Sequence, residues 1–377
     1  MKKIGIIGGG ISGLYLANIL KEHPEFDYKI FEKKESLDLS EGYGIQLSVN
    51  SIKILNKIGF KNLPVSEVFF PTKVNFFESK SFKKVCEIDL SQFNEHENCY
   101  VTLKRSTLIK FLLDNIPKDK IKYNTTLRNV ENKDEEIDAH FSDNSEEKFD
   151  YIVISDGIFS KTKSIILNED VKPKYSNSIA LRGELNEFNI RDISIFMGSN
   201  FHYVIYPVNQ NNNYNFVAIL KKKLKKDEID NENLFNNESF INSLKNILSN
   251  NSNLDLNKLN KIKAFPIFVS NKLKITKEKN IFLSGDALFA LQPSFAQGAS
   301  QSIETAHDIF QCINNKSYDL YEKRIKKINS IHWRSKLNSL IFHFSNPFNI
   351  FIRNLVLKYL VRNKKFLENY LGKIYRS

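Results

Sequence analysis

Cysteine is scarce: three residues in 377, Cys86, Cys99 and Cys312, with no C-x-x-C pair. That excludes a disulfide-stapled secreted scaffold and a Cys-rich zinc module, and leaves the thiols as ordinary core or surface groups. No His, Asp or Glu cluster has metal-ligand spacing, so no metal site is expected, and no Ser-His-Asp arrangement suggests a hydrolase. Nucleic-acid modules and internal repeats are absent too. Long apolar runs are missing. Pro347, Arg353 and Lys358 interrupt the stretch from Leu337 to Val361, short of the ~18 to 20 apolar residues of a spanning helix. Uncharged Ile4 to Leu20 behind Lys2 and Lys3 imitates a signal peptide, but it holds five glycines and no good cleavage site. The chain is expected to be soluble and cytoplasmic.

Lys and Arg number 55 against 43 Asp and Glu, a balance that favours anionic partners. The abundance of Lys, Asn and Ile is also what a biased genome would produce, so the charge carries little weight. With 41% hydrophobic and 26% charged residues, the composition is that of a globular protein. At ~150 residues per domain the length suggests two or three domains, or two that interleave.

The opening reads strand (Lys3 to Ile7), glycine turn (Gly8 to Gly13), helix (Leu14 to Lys21) and strand (Tyr28 to Glu32). A helix is predicted over Asn50 to Ile58, with Gly59 as its C-cap. Two or three antiparallel strands are predicted over Val65 to Leu90, and another helix over Ser106 to Asn115. Strands are expected at Lys120 to Tyr123, Glu136 to Phe141 and Tyr151 to Ile154, and a second β-rich region from Ser178 to Leu220. Lys221 to Lys261 reads as polar low-complexity chain, with at most one helix at Phe240, Leu244 and Ile247. Ile281 to Leu283 is a short buried strand, Ala299 to Ile313 a helix, and the remainder from Tyr318 mostly helical.

Gly8-Gly9-Gly10-Ile11-Ser12-Gly13 is a G-x-G-x-x-G between a strand and a helix. Its glycines permit the tight turn, the approach of backbone N–H groups to a pyrophosphate, and close helix–strand packing. Glu32 ends the next strand about 20 residues on, where a carboxylate can accept from ribose hydroxyls. A carboxylate there repels a 2′-phosphate, so FAD or NAD suits the site better than NADP. Far downstream, Ile281-Phe282-Leu283 delivers Gly285 and Asp286, followed by Pro293 and then Ala296-Gln297-Gly298-Ala299-Ser300 at a helix start. N–H groups at such a start can stabilise the charge of a reduced flavin.

Together these segments resemble the class A FAD-dependent monooxygenases of the p-hydroxybenzoate hydroxylase fold. The resemblance extends to Gly42-Tyr43-Gly44-Ile45-Gln46-Leu47 with Asn50, and to Arg105, placed where the family has an FAD-contacting arginine. It extends also to Val130, at the expected adenine contact, and to the Asp156-Gly157 motif. Ala180-Leu181-Arg182-Gly183, Tyr206-Pro207, Glu304-Thr305-Ala306 and Tyr321-Glu322-Lys323-Arg324 complete it. Leu288-Phe289 stands where Ala-His is common, and Ala296 where glycine is; no phosphate-binding glycine is lost.

The resemblance implies an α/β fold: a Rossmann-type FAD-binding domain (1–64, 96–170 and 270–330), an inserted, mostly antiparallel β-sheet substrate domain (65–95 and 171–269) and a helical C-terminus (331–377). It implies FAD as cofactor, with NADH or NADPH as transient reductant. A flavin hydroperoxide would carry one oxygen atom of dioxygen to a small, activated, usually aromatic substrate. FAD contacts are expected from Gly8, Gly10, Ser12, Gly13, Glu32, Gly44, Arg105, Val130, Asp156, Gly157, Gly285, Asp286, Pro293, Gly298, Ala299 and Ser300. Arg182 reads as a bidentate partner for a substrate carboxylate, or as a surface arginine. Tyr206 reads as a hydrogen-bonding group for substrate or flavin, or as a core tyrosine. His202 stands alone among aromatics. Phe348 to Arg362 either docks on the FAD domain or makes peripheral contact with an acidic membrane. A flavin-dependent reductase or dehydrogenase on the same fold, and a non-catalytic flavin-binding protein, are the competing functions. A flavin halogenase is disfavoured because Trp333 is the sole tryptophan, so its W-x-W-x-I-P motif cannot occur.

Overall fold

The computed structural model describes residues 1–37, 39, 43–133 and 136–376; Gly42 lies outside them. Five strands form a parallel sheet in the order Ile281–Leu283, Tyr151–Ile154, Lys2–Ile7, Phe26–Phe31, Ile121–Lys122. Its inner strands are apolar almost end to end because both faces are covered; Ile4, Ile6, Ile152, Ile154 and Leu283 are fully buried. Side chains alternate across a strand, so Ile6 faces the helix Ile11–Lys21 while Gly5 faces Phe149. That helix packs against Arg105–Asp114 and Gly298–Asn315. Asn18 Nδ2 ties two of the three together, donating to the carbonyls of Leu14 at 2.8 Å and Leu112 at 2.7 Å. The opposite face carries an antiparallel meander of Leu127–Lys133, Glu136–Phe141 and Glu146–Phe149. Its alternating pattern points Ile137, Ala139 and Phe141 inward, and Phe141 stacks on Phe31 at 4.0 Å.

A seven-stranded sheet stands apart, in the order Asn260–Val269, Lys174–Leu185, Tyr214–Lys221, Phe201–Pro207, Ile193–Gly198, Lys73–Glu78, Lys84–Asp89. All its pairings are antiparallel except Ile193–Gly198 with Lys73–Glu78. The edge strand Asn260–Val269, which the sequence pattern did not reveal, contains Pro266 opposite Ile179, and proline in a sheet is confined to such edges. A third sheet joins Gly44–Leu47, Val101–Lys104 and Val68–Phe69. Of the strands expected over Val65 to Leu90, therefore, only the hairpin Lys73–Glu78/Lys84–Asp89 enters the large sheet.

The Asn-rich segment is not low-complexity chain. Asn231 and Asn237 cap the helices Glu232–Asn236 and Glu238–Ser249, their side chains accepting from the N–H groups of Asn233 and Phe240. The helix Glu238–Ser249 buries Leu244 and Leu248 against Leu181 and Phe216 of the large sheet.

The chain ends in a long helix Asp319–Phe342, a helix Pro347–Leu360 and three short helical turns. Pro347–Leu360 does dock, but not on the parallel sheet. Leu357, with Val361 just beyond the helix, packs on Phe76, Val85 and Cys86 of the outer hairpin. No helix among the described residues is long and apolar enough to cross a membrane.

His202 proves to be a structural residue. Its Nδ1 shares a 2.7 Å hydrogen bond with Nε2 of His343, just past the long helix, and both rings are buried. Burial lowers both pKa values, that of His343 to about 4, with Lys221 adding to the effect. Below the ordinary histidine pKa the unfolded chain binds protons that the native rings refuse. Stability should therefore fall as pH drops from about 6.5 toward 4, by up to ~1.4 kcal/mol per pH unit for each histidine. Thermal midpoints across that range should slope less steeply in His202→Gln than in the parent; parallel slopes would show that the pair contributes nothing.

Candidate active site

Three turns from distant parts of the chain meet at the carboxyl ends of the parallel strands, the usual ligand edge of such sheets. The first is Gly8 to Gly13. Gly8 has φ +104°, and a Cβ there would lie 2.6 Å from the Ser155 carbonyl oxygen and 2.7 Å from Asp156 N. A Cβ on Gly13 would lie 2.1 Å from the Gly8 carbonyl oxygen. At Gly10 it would meet only the Ser155 carbonyl oxygen at 3.9 Å, so this glycine faces open space. Glu32 holds the turn from the side: Oε2 accepts from Gly9 N at 2.7 Å and Oε1 from Lys34 N at 3.0 Å.

The second turn is Ser155 to Ser160. Ser155, which precedes the Asp156-Gly157 motif and was given no role of its own, donates from Oγ to the Gly8 carbonyl at 3.0 Å and clamps the two turns together. Asp156 beside it is closely enclosed. Burial raises its pKa, the hydroxyls of Ser160 and Thr162 pull it back, and its Oδ1 has no hydrogen-bond partner.

The third turn is Ser284 to Phe289. Ser12 Oγ and Ser284 Oγ lie 2.6 Å apart across 272 residues, and a Cβ on Gly285 would sit 3.3 Å from that of Ser12. The Ser12 hydroxyl also donates to the Ser302 carbonyl at 3.1 Å, so it serves the helix junction and leaves only its backbone to face a ligand. Asp286 opens on a neighbouring cavity of about 210 Å³ with Lys163 and Lys272. Its carboxylate reaches solvent there, yet protein crowds it, and desolvation raises its pKa against the pull of Arg105.

A crevice of about 330 Å³ runs along the first two turns, walled by Gly8 to Gly10, Glu32, Arg105, Thr125 to Leu127, Asp156 and Gly157. Asp156 and Gly157 line it while Ile158 lines the neighbouring cavity, so a single turn divides the two. The Arg105 guanidinium makes no hydrogen bond to a described residue. Val130 does not reach the crevice: it packs on the core, and Thr125 to Leu127 take its wall.

The helix Gly298–Asn315 starts without a side-chain cap, at an exposed Gly298 where an added Cβ would meet nothing within 4 Å. Pro293 is exposed at the start of the preceding 3-10 turn, and Ala296 holds the left-handed φ of +51° that glycine would adopt without strain. Ala299 is half-buried, but Ser300 is fully turned inward. Its Oγ accepts from Ser48 N at 3.1 Å and lies 3.0 Å from Ser51 Oγ. Ser300 thus positions the helix start instead of offering a hydroxyl to a ligand. Behind it runs a buried polar chain. Ser48 Oγ donates to Asn50 Oδ1 at 2.5 Å; Asn50 Nδ2 and Lys327 Nζ donate to Glu304 Oε1, and Arg324 Nη1 to Glu304 Oε2. Arg324 Nε also bonds Asp308 at 2.8 Å. Burial opposes the Arg324 charge, yet Glu304 and Asp308 hold its pKa above the ordinary value.

Arg182 and Tyr206 come together over Tyr43 and Gly44. The Arg182 guanidinium lies 5.5 Å above the Tyr43 ring, and a Cβ on Gly44 would sit 2.8 Å from the Tyr206 ring and 2.6 Å from Asn215. Gly44 N donates to Asn215 Oδ1 at 2.7 Å, so the small and large sheets touch here. Burial pushes the Tyr206 pKa up, opposed by Arg182 and a hydrogen bond with Gln46.

A protein-family model described as an FAD binding domain matches residues 1–315. The chain belongs to the class A FAD-dependent aromatic hydroxylases. It is 22% identical over 363 residues to the 3-amino-4-hydroxybenzoate 2-monooxygenase PtmB3 of Streptomyces platensis, covering 90% of this chain and 88% of that one. It is 25% identical over 185 residues to the 6-hydroxynicotinate 3-monooxygenase of Pseudomonas fluorescens, covering 48% and 46%. Among solved structures, Klebsiella pneumoniae HpxO complexed with FAD and uric acid superposes with a TM-score of 0.77 at 16% identity, over 99% of this chain and 96% of that one.

Proposed function

We propose that this FAD-dependent monooxygenase hydroxylates a small aromatic acid or phenol, with NADH or NADPH as reductant. The observation that carries the reading is the convergence of the Gly8–Gly13, Asp156–Gly157 and Gly285–Asp286 turns, which Ser12 and Ser284 close at 2.6 Å. The unpartnered Asp156 Oδ1 and the open space at Gly10 fit a polar, extended cofactor such as FAD. Gly8, Gly10 and Gly13 would hold its pyrophosphate, Glu32 its adenosine ribose, Arg105 and Asp286 its central part. The first N–H groups of Gly298–Asn315 would face the pyrimidine edge of the flavin. The reading keeps the domain division at 64/65, 95/96, 170/171, 269/270 and 330/331; it would leave the seven-stranded sheet in the substrate domain, with Val68–Phe69 pairing across the division with Val101–Lys104.

The chemistry FAD supplies when bound is acceptance of a hydride and transfer of one atom of dioxygen to an electron-rich ring. The protein's own part is orientation and charge. Arg182 offers a planar cation to a substrate carboxylate. Tyr206, held protonated by its burial, donates a hydrogen bond to a substrate oxygen and does not act as a base.

The test is NAD(P)H oxidation across a panel of phenols, aromatic acids and quinone-like compounds, with the oxygenated product identified. Arg182→Met should raise KM for the acids by about tenfold, the worth of one charge-assisted bond, and leave neutral phenols unchanged. Anaerobic reduction of an acceptor with no oxygenated product would instead favour the reductase.

A further inference from the structure

The helix Pro347–Leu360 is apolar on two faces, and the large sheet needs only one of them. Ile350, Arg353, Asn354 and Leu357 turn inward, Arg353 fully buried and Asn354 Nδ2 donating to Glu78 at 2.6 Å. Phe348, Phe351, Ile352, Leu355, Val356 and Tyr359 recur at helical spacing on the other side. All six are exposed, Phe348 by 69% and Tyr359 by 70%. A second exposed stripe, Trp333, Leu337 and Leu340, lies on the preceding helix, with Trp333 71% exposed. Packing within the chain does not account for stripes of this kind; contiguous exposed apolar surface marks contact with a partner or a membrane.

The surrounding charge selects the occupant. From Ile331 to Leu367 the sequence has seven Lys or Arg and no Asp or Glu. Lys358, Arg362, Lys364 and Lys365 are exposed at the C-terminal end of the stripe. A second copy placed face to face would bring like charge against like charge, whereas an anionic surface would be attracted by the same groups.

We propose that the exposed face of Pro347–Leu360 lies in the interface of an anionic lipid bilayer, with its aromatic and aliphatic side chains among the acyl chains and its lysines and arginine at the head groups. The arrangement is peripheral. It is independent of the flavin chemistry and would hold for a protein that lacked it.

The experiment is co-sedimentation of the flavin-loaded full chain with vesicles of phosphatidylcholine alone or mixed with phosphatidylglycerol. Binding should be tighter by on the order of tenfold or more with the anionic lipid, and weaken as salt is raised. Trp333, the only tryptophan, should shift its emission to the blue on binding. Phe351→Asp with Leu355→Asp should abolish sedimentation while NAD(P)H oxidation in solution is unchanged. Arg362→Glu with Lys364→Glu should remove the preference for phosphatidylglycerol. Equal binding to both vesicles, or binding that survives the aspartates, would overturn the proposal. So would a concentration-dependent dimer that those aspartates dissolve in a protein indifferent to vesicles, which would assign the face to a second copy.

Discussion

Gly10→Val should yield a folded protein that has lost its flavin. The added side chain enters open space, the nearest atom to its Cβ being the Ser155 carbonyl oxygen at 3.9 Å, so the native packing has no reason to give way. The same space is where a pyrophosphate must approach the backbone. Filling it should weaken FAD binding by about 100-fold or more, roughly 2.7 kcal/mol. Gly13→Val makes the contrast. Its Cβ would collide with the Gly8 carbonyl oxygen at 2.1 Å, closer than any relaxation of a buried turn can absorb, and the chain should fail to accumulate as folded protein. Flavin retention after gel filtration, beside far-ultraviolet dichroism of both variants, separates the two effects. A yellow Gly10→Val protein with normal affinity would refute the assignment of this turn to the phosphates.

Glu304→Ala should be the most damaging single change outside the glycine turns. Glu304 is fully buried and receives Asn50, Arg324 and Lys327. Truncation takes a buried carboxylate from a guanidinium and an ammonium; Arg324 keeps Asp308 and Gln301 Oε1, and Lys327 keeps the Ile374 carbonyl. Removing one partner of a buried ion pair costs about 3–5 kcal/mol, which corresponds to a thermal midpoint lower by roughly 4–6 °C for a chain of this length. Loss should reach the cofactor too, because Asn50 and Ser48 connect this network to Ser300 and so to the start of Gly298–Asn315. Differential scanning fluorimetry with and without added FAD measures both. A midpoint within about 2 °C of the parent would mean that the network adds little.

Part of this architecture was legible in the sequence because backbone geometry dictates residue type. A strand that must turn sharply into a helix needs glycine at Gly8 and Gly13, and a strand buried on both faces needs the unbroken apolar run of Ile281–Leu283. Gly285 has a φ of +59° that favours glycine too, but a lone Gly-Asp pair is usually just a turn and gained meaning only beside the Gly8–Gly13 fingerprint. Side-chain partners far apart in the chain were not legible. Ser155 looks like any serine until it is seen bonding the Gly8 carbonyl, and Asn50, Glu304 and Arg324 are three separate polar residues until the helices bring them together. Asparagine misled in the opposite direction: Asn231 and Asn237 read as solvated linker, yet they start helices, the second of which buries Leu244 and Leu248. At the C-terminus the hydrophobic pattern was plain, but a helix apolar on both sides cannot reveal from sequence which side the core takes.

The contact of Ser12 with Ser284 has a consequence for biosynthesis. The two residues are 272 positions apart, so at about 5–20 residues per second the ribosome releases the second some 15 to 50 s after the first. Throughout that interval the nascent amino-terminal half must wait with one edge of its parallel sheet unpaired, since the strand Ile281–Leu283 has yet to be made. Cofactor capture is therefore a late event in the life of each polypeptide, and truncated or stalled products should leave the ribosome colourless.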